Sequence, residues 1–181
     1  WKSDGTVNGT VMVKNIWTGS PSAGDGLPGN WCGNSGNDYC RMVSIGNTLY
    51  FQADSWDIDG DGFYDGVELW KSDGTEAGTV MIKNINNNAN GSSNPQGLTV
   101  FNNELYFRAD DGTHGDELWK SDGTEAGTMM FIDTNGNGSG SPKSLTPIGN
   151  TLYFSTNDGI HGQELWKTIE YPEDAASADL E

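Results

Sequence analysis

The sequence predicts an all-β fold of antiparallel four-stranded repeat units of about 48 residues, arranged like a β-propeller in a partial or open array. Three observations predict it: one long phrase recurs, apolar and polar residues alternate between its copies, and turn signals fall at equivalent places. The phrase Glu68-Leu69-Trp70-Lys71-Ser72-Asp73-Gly74-Thr75-Glu76-Ala77-Gly78-Thr79 returns word for word from Glu117 to Thr128. A degraded copy opens the chain as Trp1-Lys2-Ser3-Asp4-Gly5-Thr6, then Gly9-Thr10, and a last copy, Glu164-Leu165-Trp166-Lys167, breaks off. The tryptophans of the phrase stand at 1, 70, 119 and 166, with spacings of 69, 49 and 47. A period near 50 with several strands per unit is the mark of a propeller or a related stacked-sheet repeat.

The elements can be taken in order. Thr79–Ile85 alternates apolar and polar, as a half-buried strand does, and reads as the first strand of a unit. A loop of Asn, Gly and Ser runs through Pro95, and Leu98–Phe101 is the second strand. Asn102-Asn103 signals a tight turn, with Gly46-Asn47 and Gly149-Asn150 in its place elsewhere. Leu105–Ala109 is the third strand, Asp110-Asp111-Gly112 opens a turn, and Glu117–Lys120 is the fourth. Asp122-Gly123 then turns into the next unit. No segment reads as a helix. The chain so parsed is two strands, two full units and three strands. It forms one β-domain over 1–167 with an insertion at about 17–40, and 168–181 is an acidic tail that serves as a linker or an assembly strand. Incomplete sheets expose unpaired backbone groups and invite a strand from another chain.

The composition narrows the function. Hydrophobic residues make up only 34% and Gly numbers 26, yet aromatics reach 10% with seven Trp, unlike a disordered chain. Nine basic against 26 acidic residues give a formal charge of −17. Such a chain repels phosphate backbones and anionic headgroups, which argues against nucleic acid or membrane partners and for divalent cations. No apolar stretch reaches the length of a membrane span. The opening on Trp1, inside a recurring motif, reads as a mature or partial chain without its targeting segment. Cys32 and Cys40 lie in a polar, Gly-rich insertion. Pairing them would close a short loop and imply an oxidising compartment. The alternatives are free thiols or half a zinc site, the latter poorly served by two His and no other Cys.

The phrases ELWKSDGTEAGT and LYFRADDGTHGDELW closely resemble the ELWxxDGT repeat proteins of bacterial surfaces and secretions. The resemblance spans nearly the whole chain outside the insertion and the tail. It implies an extracellular setting and a propeller-like fold, and it implies no activity. The strand order also resembles a kelch-type blade, more weakly.

The sharpest chemical motif is Asp57-Ile58-Asp59-Gly60-Asp61-Gly62-Phe63-Tyr64-Asp65-Gly66-Val67-Glu68. Carboxylates at loop positions 1, 3, 5, 9 and 12, with Gly at 6, match the twelve-residue calcium loop. Asp57, Asp59, Asp61 and Asp65 are the expected carboxylate ligands, Phe63 offers its carbonyl, and Glu68 stands at the last position. Because the flanks are strands, the loop resembles the DxDxDGxxD calcium loops of integrin-type propellers. Glu68 recurs as Glu117 and Glu164 in units without the Asp cluster, which makes it a repeat residue first. Asp133-Thr134-Asn135-Gly136-Asn137-Gly138 has similar spacing but one charge, so an ion-free loop is the expectation there.

His114 and His161 stand 47 apart, as do Trp119 and Trp166. They therefore occupy equivalent turns, whereas a catalytic base occurs once beside unlike partners. The recurring Trp and Tyr read as packing residues, with Trp17, Trp31 and Trp56 outside the repeat as candidates for exposed contacts. Asn8, Asn90 and Asn137 each begin an acceptor triplet for N-glycosylation. No unrepeated acid–base pair, phosphate loop or nucleophile elbow is present. The expectation is a non-enzymatic, extracellular, calcium-binding structural or adhesive repeat protein that self-associates head to tail into a filament or meets other surface proteins. The alternative is a carbohydrate-binding module of a secreted protein.

Overall fold

A computed structural model describes residues 1–16, 42–56, 64–136 and 138–168. Among them there is no helix. The strands are β1 Val43–Ile45, β2 Thr48–Ser55, β3 Gly66–Ser72, β4 Val80–Lys83, β5 Gln96–Phe101, β6 Glu104–Asp110, β7 Asp116–Ser121, β8 Met129–Ile132, β9 Lys143–Ile148, β10 Thr151–Asn157 and β11 Gln163–Lys167. They form three antiparallel meanders, β1-β2-β3-β4, β5-β6-β7-β8 and β9-β10-β11. Residues 1–16 add a bridged hairpin end in which Lys2 pairs with Val11. The all-β, four-stranded expectation is met in two sheets.

The sheet boundary falls one strand later than the sequence suggests. Thr79–Ile85 is not the first strand of a unit; its β4 part pairs back onto β3 and closes the preceding sheet, with Lys71 opposite Val80. The reason lies in the turn. Asp73 Oδ1 accepts from the Thr75 amide at 2.8 Å and from its hydroxyl at 2.7 Å. The Thr75 hydroxyl accepts from the Gly78 amide at 2.9 Å, and the Thr79 hydroxyl donates to the Thr75 carbonyl at 2.7 Å. Ser72 and Thr79 hydroxyls meet at 2.7 Å across its base. A turn so closed can only reverse the chain within one sheet. The same bonds recur from Ser121 to Thr128 and from Ser3 to Thr10. The Asn-rich stretches after β4 and β8 make the crossings between sheets instead.

The other turns follow their residues. Asn102 and Asn103 both adopt positive φ, at 49° and 62°, which is the type I′ hairpin turn. In the first and third sheets Gly46 and Gly149 carry the positive φ, at 57° and 56°, and the following Asn does not, which is the type II′ alternative.

Successive sheets stack face to face. Tyr50, Leu69, Ile82 and Ile85 of the first meet Leu98, Leu105, Phe107 and Trp119 of the second. Phe101 and Tyr106 of the second meet Leu152 of the third, and Ile16 covers Phe51, Ala53 and Trp70. The middle strands of the first two sheets, β2, β3, β6 and β7, are therefore buried on both faces. Burying a leucine as completely as Leu69 or Leu118 contributes about 1.5–3 kcal/mol each.

Lysines tie the stack at its edge. Lys71 Nζ donates to the Gly123 carbonyl at 2.7 Å and Lys83 Nζ to the Thr128 carbonyl at 2.8 Å. One unit earlier, Lys2 Nζ donates to the Gly74 carbonyl at 2.9 Å and Lys14 Nζ to the Thr79 carbonyl at 2.7 Å. The same two bonds thus join residues 1–16 to the first sheet and the first sheet to the second.

The turn explains its glycines. A Cβ on Gly78 would stand 2.1 Å from Asp73 Oδ1. Gly78→Ala is expected to destabilise the fold by about 1–3 kcal/mol, as overpacking does, whereas exposed Glu76→Ala changes stability by less than about 0.5 kcal/mol. Urea unfolding of the two variants checks this.

Candidate metal centre

The acidic loop joins β2 to β3, and both of its ends are pinned. Ser55 pairs with Gly66 at the base of the hairpin. The Tyr64 hydroxyl donates to Asp54 Oδ1, and the Trp56 and Tyr64 rings lie 6.0 Å apart, tilted by 45°. Burial raises the Asp54 carboxyl, against the Tyr64 hydrogen bond that lowers it. Burial and the Asp54 contact together push the Tyr64 phenol well up. Asp57, Asp59, Asp61 and Phe63 lie outside the described residues.

Asp65, next to the hairpin base, is buried and accepts from Asn84 Nδ2 at 3.3 Å. Asn84 Oδ1 and Ser55 Oγ are buried oxygens without hydrogen-bond partners. Buried polar atoms are normally satisfied, and oxygen is the donor a hard cation takes. The residue types present at the base of the loop therefore fit a calcium ion. Among the described residues, no three of His, Cys, Asp and Glu converge on one point.

Glu68 has an occupation that the sequence did not disclose. It is fully buried in β3, and its carboxylate accepts from the amides of Ile85 at 3.1 Å, Asn86 at 3.4 Å and Ser93 at 2.9 Å, and from the Ser93 hydroxyl. All of these donors belong to the crossing that leaves β4. Glu117 does the same one unit on, accepting from the Thr134 amide at 3.0 Å, its hydroxyl at 3.1 Å, and the Gly140 amide. Recurrence in units without an acidic cluster was the signal that could have found this role.

The remaining candidates are placed as follows. The Asp133 carboxylate accepts from the Asn135 amide at 3.1 Å in an Asx turn, while Asn137 lies outside the described residues. His114 Nδ1 meets Asp111 Oδ2, and His161 Nδ1 meets Asp158 Oδ2, each at 2.7 Å in an exposed turn. The hydrogen bond to that carboxylate raises each imidazole. Trp70 and Trp119 are buried, whereas Trp56 is 45% exposed; Trp17 and Trp31 lie outside the described residues. Asn8 and Asn90 are exposed, and Asn90 Oδ1 accepts from the Tyr64 amide at 3.4 Å. Cys32 and Cys40 lie outside the described residues. No helix among the described residues is long and apolar enough to cross a membrane. No family model, curated protein or solved structure matches the chain.

Burial pushes the Glu68 carboxyl up to about 7, against hydrogen bonds from Ser93, Ile85 and Asn86 that lower it, from a starting value of 4.5. Glu117 is raised for the same leading reason. Between pH 4.5 and about 7 the folded Glu68 holds a proton that the unfolded chain has released, so stability falls as pH rises through that window. Melting temperature is expected to drop from pH 5 to 7 and to drop less in Glu68→Gln, a comparison that calorimetry reads directly. Glu68→Ala leaves three buried amides without an acceptor and is expected to cost roughly 3 kcal/mol or more.

Proposed function

We propose that the chain is an extracellular structural or adhesive repeat protein of the ELWxxDGT class, a rigid β-scaffold with a calcium ion pinning the turn between β2 and β3. The observation that carries this reading is the repeated lysine-to-carbonyl tie, with Lys2 and Lys14 on one side of the first sheet and Lys71 and Lys83 on the other. A contact used twice in the same form is a rule for adding units, as in other quasi-one-dimensional repeats. The close approach of the first strands, β1 to β5 and β5 to β9, supports a radial, propeller-like placement of the sheets. The acidic charge and the resemblance support the extracellular setting. Head-to-tail self-association extends the same contact, and a heterologous contact that does not close propagates into a filament.

Calcium is supported by the spacing of Asp57, Asp59, Asp61 and Asp65 and by the unpartnered oxygens of Ser55 and Asn84 at the loop's base. The ion would supply the positive charge that lets these carboxylates crowd into one turn. With its oxygens taken up by the crossing, Glu68 braces the sheet beside the ion. The reading assigns the chain no catalysis.

A second reading, a carbohydrate-binding module, is favoured by one observation, the exposed Trp56 beside Tyr64 at the mouth of the same loop. A glycan array on the parent and on Trp56→Ala separates it: binding lost in the variant selects the module.

Calorimetric titration of the parent with calcium is expected to show a saturable site, and Asp59→Ala to abolish it. An unchanged isotherm in the variant, or none in the parent, removes calcium from the account.

A further inference from the structure

Four Asn-Gly pairs occur in the sequence: Asn8-Gly9, Asn90-Gly91, Asn135-Gly136 and Asn137-Gly138. Such a pair is where a polypeptide attacks itself. The glycine amide nitrogen closes on the Asn Cγ, and glycine has no side chain to obstruct the approach. Sequence alone offers four similar sites, and the fold ranks them.

The ranking follows from where each glycine amide is spent. An amide that donates to an acceptor must break that bond before its nitrogen can attack. The Gly9 amide donates to Thr6 Oγ1 at 2.9 Å. The Gly91 amide donates to the Asn88 carbonyl at 2.7 Å, and the Gly138 amide to the Asn135 carbonyl at 2.6 Å. Asp-Gly pairs can close the same ring, and in five of them the glycine amide is likewise held. Gly5, Gly74 and Gly123 donate to the hydroxyls of Ser3, Ser72 and Ser121, each at 3.0 Å. Gly112 donates to Asp110 Oδ1 at 2.7 Å and Gly159 to Asn157 Oδ1 at 2.8 Å. Gly136 is the exception. It is exposed, and nothing among the described residues accepts from its amide. The Asn135 side chain is lightly held as well. Its Nδ2 donates to the Ser139 carbonyl at 3.3 Å, longer than the usual N–H···O bond.

We propose that Asn135 is a self-modification site, converting through a cyclic imide to aspartate and isoaspartate, and that the conversion unfastens the second crossing. Hydroxide from solvent takes the Gly136 amide proton. The nitrogen bonds to Asn135 Cγ, the Cγ–Nδ2 bond breaks, and ammonia leaves with a proton from water, which returns the hydroxide. Water then opens the imide at either carbonyl. Opening at Cγ leaves aspartate; opening at the main-chain carbonyl leaves isoaspartate, whose backbone runs through Cβ.

The neighbouring bonds set the consequence. Asn135 follows Thr134, whose amide and hydroxyl hold Glu117. Aspartate loses the donor to Ser139 and adds a charge beside Asp133, whose Oδ1 accepts from the Asn135 amide. Isoaspartate turns the carbonyl that accepts from Gly138 into a free carboxylate and lengthens the backbone between Thr134 and Gly140, the two residues that donate to Glu117. The third sheet feels the same change, since a Cβ on Gly159 would stand 2.5 Å from Asn135 Oδ1. The first crossing contains Asn90-Gly91 with its amide spent, and it stays fastened to Glu68.

Incubation of the folded chain at mildly alkaline pH, followed by tryptic peptide mapping with fragmentation, tests the site. The gain in mass from amide to acid is expected at Asn135 roughly tenfold faster than at Asn8, Asn90 or Asn137, the factor that one hydrogen bond of ordinary net strength sets. In guanidinium chloride the held amides are released, and the four rates are expected to converge. A folded chain in which Asn135 stays intact, or converts no faster than the other three, overturns the proposal. So does a rank order that persists in denaturant, because sequence alone would then set it. Asn135→Asp stands in for the aspartyl product, with circular-dichroism melting to check that it folds. Hydrogen exchange at the Thr134 and Gly140 amides is expected to quicken by about tenfold or more in this variant, while Ile85 and Ser93 keep the parent rate. Unchanged exchange at Thr134 and Gly140 overturns the unfastening.

Discussion

The four-stranded sheets depend on a buried carboxylate in the third strand of each, Glu68 in β3 and Glu117 in β7. Glu68 and Glu117 have no solvent, and an ionisable group so placed is costly unless donors surround it. The donors are supplied by the segment that must leave the sheet: the amides of Ile85, Asn86 and Ser93 for one, and of Thr134 and Gly140 for the other. Those crossings have little apolar content, so a single hydrogen-bonding hub holds what packing cannot. With each crossing fixed, the next sheet starts in a defined place. The apolar faces then meet in register, and the lysines reach carbonyls one unit away.

The closed turn is the second fixed part. Its hydroxyls, carboxylate and amides satisfy one another almost without outside help, and Gly78 and Gly127 are needed because a Cβ would collide with the carboxylate of Asp73 or Asp122. That accounts for the word-for-word repetition of the phrase. Each polar residue from Ser72 to Thr79, apart from exposed Glu76, has a partner set by the others. The carbonyls the turn displays are in turn the acceptors for Lys2, Lys14, Lys71 and Lys83.

Much of this was legible in the residues. Strand identity followed from alternation, and the hairpin turns followed from Asn102-Asn103 and the two Gly-Asn pairs. The equivalence of His114 with His161 placed both in turns, where Asp111 and Asp158 hold them. What was misread was the sheet boundary, because a repeat phrase shows where a unit recurs and not where its backbone pairing stops. The role of Glu68 was hidden for a related reason. Its donors are backbone amides 17 to 25 residues away, and backbone amides leave no signature in a sequence. Of the acidic loop, the structure describes residues 64–68, with Asp65 beside the buried oxygens of Ser55 and Asn84, which no motif includes. Their position at the hairpin base shows only in three dimensions.

The claim that the buried glutamates organise the stack is tested most directly by hydrogen exchange of individual backbone amides. The amides of Ile85, Ser93, Thr134 and Gly140 lie in irregular segments, outside the strand ladders. If their acceptors are the buried carboxylates, they exchange as slowly as the strand amides around Leu69 and Leu118, at the rate of global unfolding. Exchange as fast as that of exposed Asn88 and Asn90 would show that the crossings open independently of the sheets, and would contradict the account.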